Sequence, residues 1–151
     1  MSALARLFLN ENKIVSGSDK ILSPITEALK KEGATIFKEQ VKENITNDID
    51  LVVYTEAMPK DHEELVAARE KGIKTLNYFD TLGLIANQYY LIAVSGTHGK
   101  TTTTAMITDI LEDAGLDPTA VVGSLRGKTK SNFRAGESKY IIRRHFIPGL
   151  Q

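Results

Sequence analysis

Residues 92–102 read Ile92-Ala93-Val94-Ser95-Gly96-Thr97-His98-Gly99-Lys100-Thr101-Thr102. An apolar strand runs into a glycine loop, then Gly-Lys-Thr, then a helical stretch. Each part suits phosphate chemistry. Glycines let backbone N–H groups curl round an anion without a Cβ in the way. The helix start adds unpaired N–H donors and a partial positive charge. Lys100 can reach β- and γ-phosphates, and the Thr101 hydroxyl can meet Mg²⁺. Gly96, Thr97, His98, Gly99, Lys100, Thr101 and Thr102 are therefore the candidate nucleotide-binding residues. Lys100 and Thr101 are the candidates for catalysis, and Thr101 for the metal. The general phosphate-loop pattern wants a glycine where Val94 stands, so the alternative is an ordinary strand–helix turn. His98 by itself reads as a surface histidine.

Outward from this loop, short apolar runs alternate with amphipathic stretches. Residues 2–9 are helix-like and very apolar, and 13–16 read as a short strand before a turn at Gly17-Ser18-Asp19. Ser23-Pro24 looks like an N-cap followed by proline in the first turn, and Gly33 like a helix stop. Residues 34–37, 49–54, 73–76, 90–94, 119–122 and 139–142 read as strands, with 49–54 and 90–94 expected to be buried. Asp61 with Glu64 reads as a capping box for a helix ending near Gly72. Residues 78–88 and 100–114 complete the helices. Strands alternating with helices predict βαβ units and a parallel sheet. A boundary near residues 87–90 is expected, where a new strand–loop–helix unit begins.

Composition agrees with a globular chain. The 151 residues are 42% hydrophobic and 25% charged, with Lys+Arg 19 against Asp+Glu 19. That argues against a disordered or collagenous protein. No run of about 18 apolar residues occurs, so no membrane span is expected. No basic, apolar leader is visible, and cysteine is absent. Disulfides and thiolate chemistry are thereby excluded, and a cytoplasmic protein is expected. Charge is uneven. Residues 1–125 hold 12 Lys/Arg against 18 Asp/Glu, and residues 126–151 hold 7 against one. A basic stretch can attract phosphates or nucleic acid, but a solvated end is the simpler reading and no nucleic-acid partner is expected.

Ala93 through Thr103 resembles the ATP loop of the Mur ligases, the ATP-dependent amide ligases of peptidoglycan precursor synthesis. Thr97-His98-Gly99-Lys100-Thr101-Thr102 points to the branch that joins L-alanine to UDP-N-acetylmuramate, or to its murein-tripeptide recycling relative. Val15 through Asp19, Val52 through Pro59, and Glu64 through Ala68 with Gly72-Ile73 continue the resemblance, which covers residues 1–142. It implies ATP and Mg²⁺ as cofactors, and UDP-N-acetylmuramate and L-alanine as substrates. It also implies an acyl phosphate on the muramate carboxylate that the amine of L-alanine attacks.

The resemblance carries two departures. The family opens with a strand and a Gly-x-Gly-Gly-x-Gly loop ahead of Met-Ser-(Gly/Ala)-Leu-Ala, and this chain begins at Met1-Ser2-Ala3-Leu4-Ala5. After a strand like Tyr140-Ile141-Ile142 the family has an acidic run, where Arg143-Arg144-His145-Phe146 stand here. The expectation is an inactive fragment of two incomplete domains. Residues 1–88 would be a Rossmann-like UDP-sugar domain lacking its first strand. Residues 89–151 would open a phosphate-loop ATPase domain. The missing strand predicts marginal stability and self-association through an exposed sheet edge, with Leu4, Leu7 and Phe8 losing their cover. The rival readings are a fragment of the tripeptide-recycling ligase, a non-catalytic nucleotide-binding module, and an unrelated phosphate-loop phosphotransferase. The last would need a later Asp on a strand end, and no Asp follows residue 117.

Four further residues are candidates for substrate contact. Asp19 follows a strand and can bond a ribose, or serve as a turn residue. Thr55, Ala57 and Met58 sit past a strand's C-terminal end, where α/β folds bind ligands, and the resemblance supports a nucleotide-sugar role; a tight connection closed by Pro59 is the alternative. His62 stands where the family commonly has Asn, and reads as a surface residue.

Overall fold

A computed structural model describes residues 1–123 and 131–144. Arg126, Lys128 and Lys130 of the basic stretch lie outside the described residues. The chain forms two compact units, Met1–Gly83 and Leu84–Gln151.

The first unit opens with α1 (Ser2–Asn10), followed by β1 (Ser16–Ser18), α2 (Pro24–Lys31) and β2 (Thr35–Phe37). A 3₁₀ turn at Lys42–Asn44 leads to β3 (Leu51–Tyr54), α3 (Glu63–Glu70) and β4 (Lys74–Asn77). β1 pairs β2 in parallel, Gly17 opposite Ile36, and β3 pairs β4 in parallel, Val52 opposite Thr75. The parallel α/β reading holds, but these four strands make two separate pairs among the described residues.

Local chemistry explains the elements. Ser23 Oγ accepts from Thr26 N while Thr26 Oγ1 accepts from Ser23 N, a reciprocal cap with Pro24 in the first turn. α3 closes with Gly72 N donating to Arg69 O and Ile73 N to Ala68 O, the paired bonds of a glycine C-cap. Ile45, Ala67 and Ala68 are buried, with Ile49, Val52 and Ile73 packed on them.

Three expectations need correction here. The first strand is not 13–16 but Ser16–Ser18, so the expected turn at 17–19 is partly strand. Hydrogen bonding to β2 sets those bounds, and Thr35 N donates to Val15 O just ahead of them. The cap of α3 is not Asp61 but His62, whose Nδ1 accepts from Glu64 N at 3.3 Å. Nor is the α1 face uncovered: Leu4 and Leu7 are buried, and Arg6 ties the helix to Glu32 just after α2 by a 2.7 Å ion pair.

α4 (Tyr78–Ala86) spans the boundary between the units. The second unit continues with β5 (Tyr90–Val94), α5 (Lys100–Asp113), β6 (Thr119–Val121), β7 (Phe133–Arg134) and β8 (Tyr140–Arg144). The sheet order is β5-β8-β6-β7, with β8 parallel to both β5 and β6, and β7 antiparallel to β6. α5 packs on β8, and Ile141, Ile142 and Ala120 are fully buried. Thr104 and Thr108 are also fully buried in α5. Each donates its hydroxyl to the carbonyl four residues back, Lys100 O and Thr104 O, so small polar side chains enter the core satisfied.

The expectation of a buried β5 is corrected too. β5 is the outer strand of its sheet among the described residues, and Tyr90, Leu91 and Ala93 are exposed. β8 inserts between β5 and β6, leaving β5 a single neighbour.

Candidate functional site

The site is built from β5, the loop 95–99 and the first turn of α5. Residues 95–99 are all exposed. Gly96 has φ +147 and Gly99 φ +74, conformations that side chains other than glycine's rarely adopt. Gly99 is the N-cap of α5 and no side chain caps the helix. The first bond there runs from Thr103 N to Gly99 O at 2.9 Å, so the amides of residues 100–102 precede the helical ladder and face the loop end. Lys100 is half-buried and folds back over the loop, donating to Gly96 O and to Thr97 O, the latter at 3.0 Å. Thr101 is half-buried on the first turn, while Thr97, His98 and Thr102 are exposed. One loop thus gathers all seven candidate nucleotide residues.

One further strand lies beside the loop strand. β8 runs parallel to β5, with Ala93 opposite Arg143 and Val94 opposite Arg144. Two arginine positions therefore lie one strand away from the base of the loop, about 4.8 Å in a sheet. Arg143 is buried, at 7% exposure.

At the other end of the sheet, Arg134 binds Asp117 at 2.5 Å and Glu112 at 2.8 Å, and donates to Pro118 O. Asp117 Oδ2 also accepts from Glu137 N at 2.7 Å. The Glu137 amide and the Arg134 guanidinium hold the Asp117 carboxyl below its ordinary value.

The remaining candidates lie in the first unit. Asp19 follows β1 and is exposed; its Oδ1 accepts from Ile21 N at 3.0 Å, a turn of the Asx type. Thr55 follows β3, its carbonyl accepting from Met58 N at 2.9 Å and its Oγ1 from Ala57 N at 3.4 Å. Thr55 and Ala57 are exposed and Met58 is half-buried. Both groups stand at C-terminal ends of parallel strands, on different strand pairs.

Two features escaped the sequence. Glu64 is buried and accepts from Ser18 Oγ at 2.7 Å and from Asn44 Nδ2 at 2.9 Å, while Gln40 Nε2 donates to Ser18 Oγ at 3.4 Å. No spacing signals such a network, because its members come from three separate segments: the end of β1, the connection after β2, and α3. His62 as a helix cap was equally hidden, since histidine is not among the usual caps.

Comparison with known proteins settles the family. The profile described as "Mur ligase family, catalytic domain" matches residues 1–90. The chain belongs to the Mur ligase family. A UDP-N-acetylmuramate–L-alanine ligase of Clostridium botulinum is 48% identical to this Mur ligase chain over 143 residues, 94% of the chain and 31% of the relative. The chain thus spans about a third of the curated relatives it matches. The UDP-N-acetylmuramate–alanine ligase of Thermotoga maritima superposes with a TM-score of 0.83 at 31% identity, covering 95% of this chain and 34% of that one. The murein peptide ligase of Psychrobacter arcticus gives 0.84 at 26% identity, covering 95% and 35%. These likenesses support the α/β fold with parallel sheets. Among the described residues no helix is long and apolar enough to cross a membrane.

Proposed function

We propose that the chain is the nucleotide-binding part of a cytoplasmic ligase that joins L-alanine to UDP-N-acetylmuramate at the expense of ATP. The observation that carries the reading is the β5–loop–α5 unit, with left-handed Gly99, glycine at 96 and Lys100 folded over the loop, in a chain 48% identical to such a ligase. The helix-start amides would bind phosphate oxygens, and Lys100 would leave the Gly96 and Thr97 carbonyls to offset phosphoryl charge. Asp19 and the 55–58 turn would meet the UDP-sugar at strand ends. In the whole ligase the muramate carboxylate takes the phosphoryl group, and the amine of L-alanine displaces phosphate from it.

Magnesium fits this edge poorly. Thr101 offers one hydroxyl, but among the described residues no group of three or more His, Asp or Glu side chains is placed to hold a metal. The C-terminal end of β8 carries arginines instead. The ligase reaction therefore stays beyond these residues alone. Losing one preorganised electrostatic element typically costs about 10²–10³ in rate.

Two measurements test the reading. ATP should raise the melting temperature of the chain, and phosphate release dependent on UDP-N-acetylmuramate and L-alanine should be absent. No shift with ATP would remove the nucleotide-binding reading. Turnover near about 1–10³ s⁻¹ would refute the claim of inactivity. Self-association through sheet edges belongs to the same proposal, with Tyr90 at 67% and Leu91 at 40% exposure on the outer strand β5. Light scattering should show oligomers that grow with concentration; a strict monomer would contradict it.

A further inference from the structure

We propose that the first unit takes up one further strand, in parallel between β1 and β3, from an extended apolar segment that its relatives carry outside these 151 residues. Among the described residues β1 has a single neighbour, β2, and β3 a single neighbour, β4.

The bonds of β1 show which way its free groups point. Thr35 N donates to Val15 O, and Asp19 N donates to Phe37 O. Peptide groups alternate in direction along a strand, so the odd-numbered residues of β1 face β2. The N–H and C=O of Ser16 and Ser18 therefore point to the other side, where no strand meets them among the described residues. β3 pairs β4 along one edge, so half of its peptide groups point away from β4 in the same manner. Gly17, Ser18 and all of Leu51–Tyr54 are half-buried. Unpaired peptide groups cost free energy where water is partly excluded.

The two edges border one gap. Ser18, at the end of β1, donates to Glu64 at 2.7 Å, and Glu64 lies in the first turn of α3, the helix that follows β3 and packs on β4. The C-terminal ends of β1 and β3 thus lie on the same side. Doubly wound sheets run in the order 3-2-1-4-5-6, with crossovers of one hand. The order β2-β1-gap-β3-β4 reproduces that arrangement with its central place open. One strand there would lie about 4.8 Å from each neighbour and satisfy both edges at once.

The chemistry of the occupant follows from its place. A central parallel strand is covered on both faces and reads as a run of apolar, β-branched residues. The helices of this unit bury Leu4, Leu7, Leu29 and Leu65, and β3 itself is Leu-Val-Val-Tyr. Charged side chains would be buried without partners there, and proline would lack a ladder donor. The length of the segment is set by the 4 residues of β3. Its source is the rest of the relatives' chain: this chain spans about a third of them, so most of their length lies outside it. Main-chain bonds supply the affinity in such strand addition.

The test adds the synthetic peptide acetyl-Lys-Val-Ile-Val-Ile-Lys-amide to the 151-residue chain and follows backbone amide exchange by NMR. Exchange at Ser16 and Ser18 should slow by about tenfold or more, with protection gained in β3 as well. Two N-methylated peptides separate insertion from addition to one edge. Successive residues of an inserted strand bond opposite neighbours. Methylation at the first and third apolar residues, or at the second and fourth, should therefore weaken binding by about tenfold or more in each case. Full affinity in either methylated peptide would place it on a single edge and overturn the inference. Protection at Tyr90–Val94 without Ser16 and Ser18 would overturn it too, as would no uptake of the peptide. Ser16→Pro removes only a donor that points into the gap, so it should weaken the peptide while leaving the melting temperature of the chain alone nearly unchanged. Unchanged affinity in that variant would count as a contradiction. The methylated pair decides the matter even if Ser16→Pro does not fold.

Discussion

Glu64, at the start of α3, accepts a 2.7 Å hydrogen bond from Ser18, at the end of β1, across 46 positions of sequence. Its second oxygen accepts from Asn44 at 2.9 Å. The two strand pairs share no ladder among the described residues, so this buried carboxylate is a polar tie between the β1 end and the helix that packs on β4. Replacing Glu64 by Ala leaves Ser18 and Asn44 without their acceptor. The expected cost is about 2–3 kcal/mol, with Glu64→Gln losing less. Urea unfolding followed by circular dichroism measures it. A loss below about 0.5 kcal/mol, the range of ordinary surface changes, would show that the tie contributes little.

His62 caps α3 through Nδ1, and Asn is a stronger cap of the same kind. His62→Asn should therefore leave stability unchanged or raised, while His62→Ala should cost about 1 kcal/mol. Thermal melting of the three proteins gives the order. An alanine variant as stable as the unaltered chain would mean that the 3.3 Å contact does no capping.

Asp117 makes the acid side of stability predictable. Its folded value lies below the ordinary 3.8, set first by the Glu137 amide and then by Arg134. A depressed carboxyl adds stability above its unfolded value and loses it as pH falls through the folded one. The melting temperature of the chain should thus drop as pH falls below about 4, and Asp117→Asn should flatten that drop. Parallel acid slopes in the two proteins would remove Asp117 from the account.

How much of this was legible in the residues depends on range. The β5–loop–α5 unit could be read because strand, glycines, Lys100 and helix are contiguous, and each acts on its neighbours. α2 was legible for the same reason, through Ser23 and Pro24. The exposure of β5 was not, because it follows from β8 inserting between β5 and β6, a choice made some fifty residues later. The short strand β7 was also missed. Its place is secured by Arg134 reaching Asp117 and Glu112, and by Gly136, where a Cβ would lie 2.2 Å from Asp117 O. The helix start at His62 escaped because Asp61 and Glu64 mimic a capping box, while the backbone turn from Pro59 O to His62 N places the next residue at the cap.

The central claim is that this loop binds a nucleotide through Lys100, and calorimetric titration of ATP into the unaltered chain and into Lys100→Ala tests it most directly. Lys100 now spends its ammonium on the Gly96 and Thr97 carbonyls, bonds that a phosphate oxygen would replace. The unaltered chain should bind ATP, and Lys100→Ala should bind more weakly by about 1.5–3 kcal/mol, the range for a charged hydrogen bond. Equal affinity in the two proteins would contradict the account.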